Sequence, residues 1–320
     1  MKIKKEKRAI QILKTFEPLD EPYWLCYSGG KDSDVISILA KLAGVKHERH
    51  YNLTTVDSPV TVQYIKSQPD VIIDKARWPD GRHKTMSNLI EHNGVMPTRL
   101  MRFCCSHLKE AAGKGHLKIT GVRAAESVNR AKNAGLVKIF GKFKTTQKIA
   151  EENGAEYNNN NNNNAVILNY DNAETRRTVE QCYRTTSTMV NPILDWTEED
   201  VWSFLKHYGC ESNPEYQNGQ TRIGCIGCPM AGGQRLSKFQ QYPKYFGIYW
   251  RACAKAMKAR EAKGYESKFD DIVHNMAWWL EYNDFAEFVE DYADIMTANN
   301  IEVPKIEKKQ IDIFDILGDI

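Results

Sequence analysis

A short glycine-rich stretch between an apolar strand and a helix constrains this 320-residue chain most. The stretch Ser28–Ser33 reads Ser-Gly-Gly-Lys-Asp-Ser and follows the apolar and aromatic run Tyr23–Tyr27, which predicts a buried strand. Apolar residues then recur at helical spacing over 35–43, and Gly44 is a suitable helix end. Glycines, which lack a Cβ, and a helix N-terminus together favour the binding of an anion such as phosphate. The stretch therefore predicts a phosphate-binding loop, to which Lys31 adds a positive charge.

The overall composition is ordinary for a globular protein, with 27% charged residues, 42% hydrophobic residues and a net charge of +3. This small positive excess suits an anionic small molecule and does not indicate a long nucleic-acid-binding surface. No apolar run has the length of a membrane span, and residues 1–19 predict a short amphipathic helix rather than a signal peptide. We therefore expect a cytoplasmic protein with no membrane partner, and the sequence does not indicate its oligomeric state.

Strand-like and helix-like patterns alternate through the first 230 residues. Runs at 47–55, 71–73, 117–122 and 166–168 predict further strands, whereas residues 131–156 are basic and show no clear pattern. The alternation predicts an α/β fold with a doubly wound, mostly parallel sheet. In such a sheet, ligands bind beyond the C-terminal strand ends. Three polar segments follow predicted strands and are expected to face one crevice: Ser28–Ser33, Thr55–Asp57 and Arg123–Ser127.

Three regions are predicted along the chain. An N-terminal helix occupies 1–19, and a nucleotide-binding domain occupies 20–230. Within that domain, the unbroken asparagine run predicts a flexible loop near 154–164, because polar low-complexity sequence cannot bury apolar area. Long helical patterns, rich in aromatic residues, predict a helical C-terminal region at 231–320.

Two groups stand out among the eight cysteines. Cys225 and Cys228 form a Cys-x-x-Cys pair on a predicted loop, and Cys104 and Cys105 are adjacent on a helix predicted over 101–112. Four thiolates suit an iron–sulfur cluster or a structural zinc ion, if tertiary folding brings the two groups together. Buried thiols that hold no metal are a further alternative.

The Ser28–Ser33 string resembles the pyrophosphate loop of the adenine-nucleotide α-hydrolase superfamily, which includes ATP pyrophosphatases, tRNA thiolation enzymes and sulfonucleotide reductases. With the cysteine groups, three more strings resemble the iron–sulfur members of the phosphoadenosine phosphosulfate (PAPS) reductase family. They are Thr54–Asp57, Gly121–Ser127, and Pro192–Thr197 with Asp200–Trp202. The resemblance covers about residues 20–230 and implies the superfamily's α/β fold.

The resemblance also implies a set of site residues. A [4Fe–4S] cluster would be held by Cys104, Cys105, Cys225 and Cys228, near the phosphates of bound ATP or PAPS. The nucleotide-binding candidates are Ser28, Gly29, Gly30, Lys31, Asp32, Ser33, Asp57, Arg123, Glu126 and Ser127. Lys31 and Arg123 are the catalytic candidates. The alternatives are a solvated surface arginine at Arg123 and a turn-forming role for Asp57.

The reductases of this family use a nucleophilic cysteine near the C-terminus in a Glu-Cys-Gly context, whereas this chain has no cysteine after Cys253. We therefore expect an enzyme that cleaves ATP to AMP and pyrophosphate, with Mg²⁺ on the phosphates, and so activates an acceptor for sulfur transfer. Expected partners are a thiol or sulfur donor protein and, as one alternative for the acceptor, a nucleic acid. One alternative function is thioredoxin-dependent reduction of PAPS or adenosine phosphosulfate to sulfite. Another is a non-catalytic nucleotide-binding redox subunit.

Overall fold

The computed structural model describes residues 2–158, 164–266, 268–269 and 271–306. These residues divide into two compact units. The first unit comprises the residues up to Lys84 together with Cys104–Gly224, and the second comprises Thr85–Phe103 together with the residues from Cys225 onward. No local sequence pattern indicates that Thr85–Phe103 groups with the C-terminal helices. The domain boundaries drawn from the sequence stay predictions.

Among the described residues, the first unit contains one eight-stranded sheet. Its strands are β1 (Tyr23–Cys26), β2 (His47–Asn52), β3 (Val71–Asp74), β4 (Lys118–Ile119), β5 (Val137–Phe140), β6 (Glu156–Asn158), β7 (Ala165–Leu168) and β8 (Ser187–Val190). Their spatial order is β3-β2-β1-β4-β8-β5-β7-β6. Neighbours from β3 to β8 pair in parallel, whereas β5 is antiparallel to β8 and β7, and β6 is antiparallel to β7. The predicted α/β fold with a mostly parallel sheet is confirmed.

The helices alternate with these strands and then continue alone toward the C-terminus. In chain order they are α1 (Lys2–Thr15), α2 (Lys31–Ala43), α3 (Pro59–Lys66), α4 (Met86–Asn93), α5 (Phe103–Leu108), α6 (Val128–Asn133), α7 (Phe143–Glu152), α8 (Ala173–Cys182), α9 (Glu198–His207), α10 (Gln234–Gln241), α11 (Pro243–Glu261), α12 (Ile272–Trp279) and α13 (Phe285–Thr297). Within the described chain, no helix combines the length and the apolar character needed to cross a membrane.

The first strand and the helix after it form the centre of the first unit's core. Tyr23 and Leu25 of β1 are fully buried, and so are Val35 and Leu39 on the inner face of α2. Helix α2 ends at Gly44, whose φ of 69° lies in the left-handed region that glycine adopts without strain. The strand and the helix that the sequence predicts on either side of Ser28–Gly30 are therefore both present.

The structure corrects two details of the sequence analysis. The helix predicted over 101–112 is shorter and runs only from Phe103 to Leu108. The basic segment 131–156, to which no element was assigned, contains β5 and α7. Val137 and Ile139 of β5 are completely buried. Lys138 between these two apolar residues is the only local signal of this strand, and pairing with β7 and β8 decides its conformation.

The asparagine-rich loop predicted near 154–164 falls partly outside the described residues. Glu156–Asn158 forms the strand β6 rather than a loop, and residues 159–163 are not described.

The second unit is helical, as predicted for the C-terminal region, and an aromatic cluster forms its core. The cluster consists of Phe239, Phe246, Tyr249, Trp279, Phe288 and Tyr292, all of them buried. The Cys225–Cys228 loop rests on this cluster, because the Tyr249 hydroxyl donates a hydrogen bond of 2.8 Å to the carbonyl of Ile226. Gly227 has a φ of +72°, and a Cβ there would lie 2.7 Å from ring atoms of both Phe239 and Tyr249.

We predict that Gly227→Ala destabilises the protein by about 1–3 kcal/mol, because alanine would be strained at positive φ and would also clash with two packed rings. The measurement is urea unfolding followed by tryptophan fluorescence. Gly224→Ala is the matched control, since a Cβ at Gly224 meets no atom within 4 Å. Equal unfolding midpoints for the two variants would contradict the prediction.

Candidate functional site

The glycine-rich loop has a backbone that only glycine adopts easily. Gly29 has a φ of +71°, and a Cβ there would lie 2.9 Å from the side chain of Ile65. Gly30 precedes α2, and its carbonyl accepts hydrogen bonds from the N–H groups of Ser33 and Asp34 at 2.9 and 3.1 Å. The Ser33 hydroxyl donates to the same carbonyl at 2.7 Å. These contacts shape the loop and place the N-terminus of α2 at its end.

Two buried cations meet at the N-terminus of α2. The side chain of Lys31 is 7% exposed and that of Arg123 is 3% exposed. Lys31 is the first residue of α2, and Arg123 follows β4, the strand that pairs with β1. The neighbouring strands thus bring together two cations that are far apart in sequence. The juxtaposition joins two of the three segments predicted to face one crevice beyond the strand ends, Ser28–Ser33 and Arg123–Ser127.

Each cation contacts two carboxylates, and together they form a four-charge cluster of Lys31, Asp32, Arg123 and Glu198. Arg123 donates from Nε to Asp32 Oδ1 and from Nη2 to Glu198 Oε2, both at 2.7 Å. The Nζ of Lys31 lies 3.5 Å from Asp32 Oδ2 and 3.4 Å from Glu198 Oε1. Formally, the two positive and two negative charges cancel.

The opposite charges of this cluster favour the ionised forms of Arg123 and Glu198. Burial opposes the charged form of Arg123, but the carboxylates of Asp32 and Glu198 hold the pKa of its guanidinium above the ordinary value. Burial also opposes the charge of Glu198, but Lys31 and Arg123 hold the pKa of that carboxyl below its ordinary value. Both side chains therefore stay ionised at neutral pH.

Two residues of the site, Glu198 and Tyr216, were missed by the sequence analysis. Tyr216 lies in a short 3₁₀ turn, Pro214–Tyr216, and its hydroxyl accepts a hydrogen bond of 2.9 Å from the backbone N–H of Lys31. Burial raises the pKa of this hydroxyl, which stays protonated. Contacts across such sequence distances leave no local signal. Glu198 occupies the first turn of α9, where an acidic residue is ordinary because it complements the helix dipole.

The segment that carries Tyr216 is held against the glycine-rich loop. Asn213 donates from Nδ2 to the carbonyl of Gly29 and to the hydroxyl of Thr61, both at 3.1 Å. Glu215 accepts a hydrogen bond from the hydroxyl of Ser58. Loop 213–216 therefore covers one side of the predicted phosphate site.

The remaining nucleotide-binding candidates of the sequence analysis make local contacts. Asp57 accepts a hydrogen bond of 2.7 Å from the N–H of Thr54, as its turn-forming alternative requires. Glu126 accepts one of 3.1 Å from the N–H of Arg123, and Ser127 caps α6. Ser28 is exposed, with its hydroxyl 3.4 Å from that of Ser33. Nucleotide contacts by these residues stay predictions.

The four cysteines of the predicted cluster are divided between the units. Cys104 and Cys105 are half-buried on α5 in the first unit, whereas buried Cys225 and half-buried Cys228 lie on the second unit's loop. Within the described residues, no group of three or more His, Cys, Asp or Glu side chains is arranged to hold a metal ion. Four thiols are nevertheless the donor set that an iron–sulfur cluster takes, so the residues fit it chemically. The four-cysteine site stays a prediction.

The other cysteines are poor nucleophiles. Burial raises the pKa of Cys26 and of Cys210 to about 11 and that of Cys253 to about 12. It also raises the pKa of Cys182. All four are therefore protonated thiols at neutral pH, and the thiolate is the reactive form.

The comparisons with known proteins bear on this arrangement of loop, strands and cations. The family model described as "Phosphoadenosine phosphosulfate reductase domain" matches residues 22–231. The chain belongs to this family. Membership in the PAPS reductase domain family supports nucleotide binding and sulfur-related chemistry.

Relatives match over very different lengths. An adenosine 5′-phosphosulfate reductase of Allochromatium vinosum is 40% identical over 42 residues, which is 13% of this chain and 16% of that protein. An uncharacterized protein of Methanocaldococcus jannaschii is 24% identical over 295 residues, 87% of this chain and 57% of the relative. The chain thus spans less than two thirds of these curated relatives. A solved PAPS reductase from Candida auris, in a phosphate complex, aligns at 14% identity over 68% of this chain and 87% of that chain, with a TM-score of 0.39.

A buried carboxyl lies beneath the glycine-rich loop of this PAPS reductase-family domain. The Oδ1 of Asp34, in the first turn of α2, accepts hydrogen bonds from the hydroxyls of Tyr27 at 2.6 Å and Tyr64 at 3.4 Å. Its Oδ2 has no hydrogen-bond partner among the described residues. Burial raises the pKa of Asp34 to about 6. The folded protein thus holds a proton here more tightly than an unfolded chain does, where the pKa is about 3.9.

Because the pKa of Asp34 is higher in the folded state, its contribution to stability is largest below pH 4 and is lost as the pH rises through 6. We predict that the free energy of unfolding of Asp34→Asn, relative to the natural protein, rises by about 2–3 kcal/mol between pH 4 and pH 7. Urea unfolding at four pH values measures this difference. Asp20→Asn, at an exposed position, controls for the loss of one carboxylate. Parallel pH profiles for Asp34→Asn and the natural protein would show the prediction to be wrong.

Proposed function

We propose that this PAPS reductase-family chain binds ATP with its phosphates at the Ser28–Ser33 loop and cleaves it to AMP and pyrophosphate, which activates an acceptor for sulfur transfer. The observation that carries the proposal is the meeting of Lys31 and Arg123, both buried, at the N-terminus of α2. A helix N-terminus, a glycine loop and two cations form a site for several phosphate oxygens rather than for one isolated charge.

The residues of the chain would act on the leaving group. An acceptor atom attacks the α-phosphorus, and the bond to the bridging oxygen of the β-phosphate breaks with its electron pair on pyrophosphate. Lys31 and Arg123 would stabilise the negative charge that develops there. Asp32, half-buried beside both cations, supplies carboxylate oxygens of the type that Mg²⁺ takes on a bound nucleotide. A donor protein would then supply the sulfur that displaces AMP from the acceptor, for which a nucleic acid is one candidate.

A [4Fe–4S] cluster held by Cys104, Cys105, Cys225 and Cys228 would supply a site for the sulfur or for electrons. Lys31 and Arg123 act on the nucleotide whether or not the cluster is bound. ATP cleavage and cluster binding can therefore be tested separately.

Reduction of a sulfonucleotide to sulfite is the second candidate, supported by the names of relatives such as the Allochromatium vinosum enzyme. That reaction needs a thiolate that attacks sulfur. Cys253, the last cysteine in the sequence, is 1% exposed, and burial raises its pKa to about 12. A buried, protonated thiol is unsuited to that role, which favours ATP over a sulfonucleotide.

We predict that the anaerobically purified protein releases AMP and pyrophosphate from ATP, with water attacking the α-phosphorus in place of the acceptor. Lys31→Ala should weaken nucleotide binding about tenfold or more through the loss of a charge-assisted contact. Calorimetry with a non-hydrolysable ATP analogue and chromatography of the products measure the two effects. Lys41→Ala is the control, because Lys41 lies on the same helix with its side chain 58% exposed. Sulfite release from a sulfonucleotide with thioredoxin, without ATP cleavage, would support the second candidate instead.

A separate prediction concerns the metal. Iron and acid-labile sulfide should accompany the anaerobic protein, with an absorbance shoulder at about 400 nm that is typical of thiolate-ligated iron. All three should be lost in Cys225→Ser and kept in Cys210→Ser, because Cys210 is not among the predicted ligands. A metal analysis that finds zinc alone would contradict the iron–sulfur cluster.

A further inference from the structure

The carboxylate of Glu198 bridges the two cations of the predicted phosphate site. One oxygen, Oε1, lies 3.4 Å from Lys31 Nζ, and the other, Oε2, accepts the 2.7 Å hydrogen bond from Arg123 Nη2. A phosphate group can bridge the same two cations with two of its oxygens. Glu198 therefore makes, from within the chain, the contacts that are proposed for the nucleotide.

The side chain of Glu198 is held less firmly than the side chains of the two cations. Its side chain is 56% exposed, whereas those of Lys31 and Arg123 are 7% and 3% exposed. The first turn of α9 is fixed by Thr197 and Asp200, whose side chains and backbone N–H groups exchange hydrogen bonds. The backbone of Glu198 is thus secured without its carboxylate. The side chain can leave the cations by rotation about its own bonds while α9 stays folded.

A second group of the chain contacts the helix N-terminus itself. The hydroxyl of Tyr216 accepts the hydrogen bond from the N–H of Lys31, a donor that a phosphate oxygen would otherwise take. The ring of Tyr216 packs edge-to-face on Trp202, with centroids 5.1 Å apart, and Trp202 Nε1 donates to Glu198 Oε1 at 3.0 Å. Tyr216, Trp202 and Glu198 are therefore one connected set of contacts over the phosphate site.

We propose that Glu198 is an internal anion that competes with the ligand's phosphates for Lys31 and Arg123 and so weakens anion binding at this site. The inference rests on the proposed function and adds its regulation. Any phosphate ligand must displace the carboxylate, and the carboxylate returns to the cations once the ligand has gone. After cleavage of ATP, this competition promotes the release of pyrophosphate, because the cations regain a partner as the product leaves.

The test is calorimetric titration of inorganic pyrophosphate without Mg²⁺ into the full chain. Glu198→Gln keeps the size of the side chain and removes its charge, so pyrophosphate should bind about three- to tenfold more tightly, the range set by a partly exposed ion pair. Glu198→Asp keeps the charge but shortens the side chain by one methylene, and should give an intermediate affinity. Glu199→Gln, which removes the same charge from the same helical turn, should bind like the natural protein.

Equal affinities for the natural protein and both Glu198 variants would overturn the inference while leaving the proposed function standing. The alternative role for this carboxylate is to bind Mg²⁺. It is tested by titrating the non-hydrolysable ATP analogue together with Mg²⁺ into the natural protein and into Glu198→Gln. If Glu198→Gln binds this complex more weakly than the natural protein does, Glu198 is a metal ligand and the inference is wrong. If no variant, nor the natural protein, binds pyrophosphate or nucleotide, the proposed function fails and the inference fails with it.

Discussion

The pairing of two buried cations with two carboxylates at the N-terminus of α2 is the interaction on which the site depends. An ammonium and a guanidinium removed from water are costly unless opposite charges lie against them. Lys31 and Arg123 meet that requirement only because β1 and β4 are neighbours in the sheet and both lead into this crevice. The strand order, the glycine loop and the charge pairing thus depend on one another. A change in the loop or in the strand order would expose the two cations to water or leave them without their carboxylate partners.

Local chemistry made much of this arrangement predictable. The positive φ angles of Gly29 and Gly44 and the capping of α9 by Thr197 each depend on one residue and its neighbours in the sequence. The partners of the cations were not predictable in this way. Tyr216 and Lys31 are 185 positions apart, and an acidic residue such as Glu198 has an ordinary explanation in its own helix. Strand β5 was missed because four residues carry too little pattern, and its neighbours in the sheet decide its conformation.

The cysteines show a different limit of sequence reasoning. Their spacing predicts a ligand set, and the structure shows how the Cys225–Cys228 loop of that prediction is supported: Gly227 lets the loop lie directly on the rings of Phe239 and Tyr249. A loop supported by packed aromatic rings has little conformational freedom left to lose. If the predicted metal binds there, this preorganisation would lower the entropic cost of binding.

The strand order also explains where the chain accommodates its asparagine run. The run joins β6 to β7, the last two strands at one side of the sheet, and β4, β8 and β5 separate them from β1. A connection at such an edge can gain or lose residues at little free-energy cost, since doubling the length of a loop costs only about 0.6 kcal/mol. A change in the number of residues between β6 and β7 would therefore be separated by three strands from β1, which leads into the predicted phosphate site.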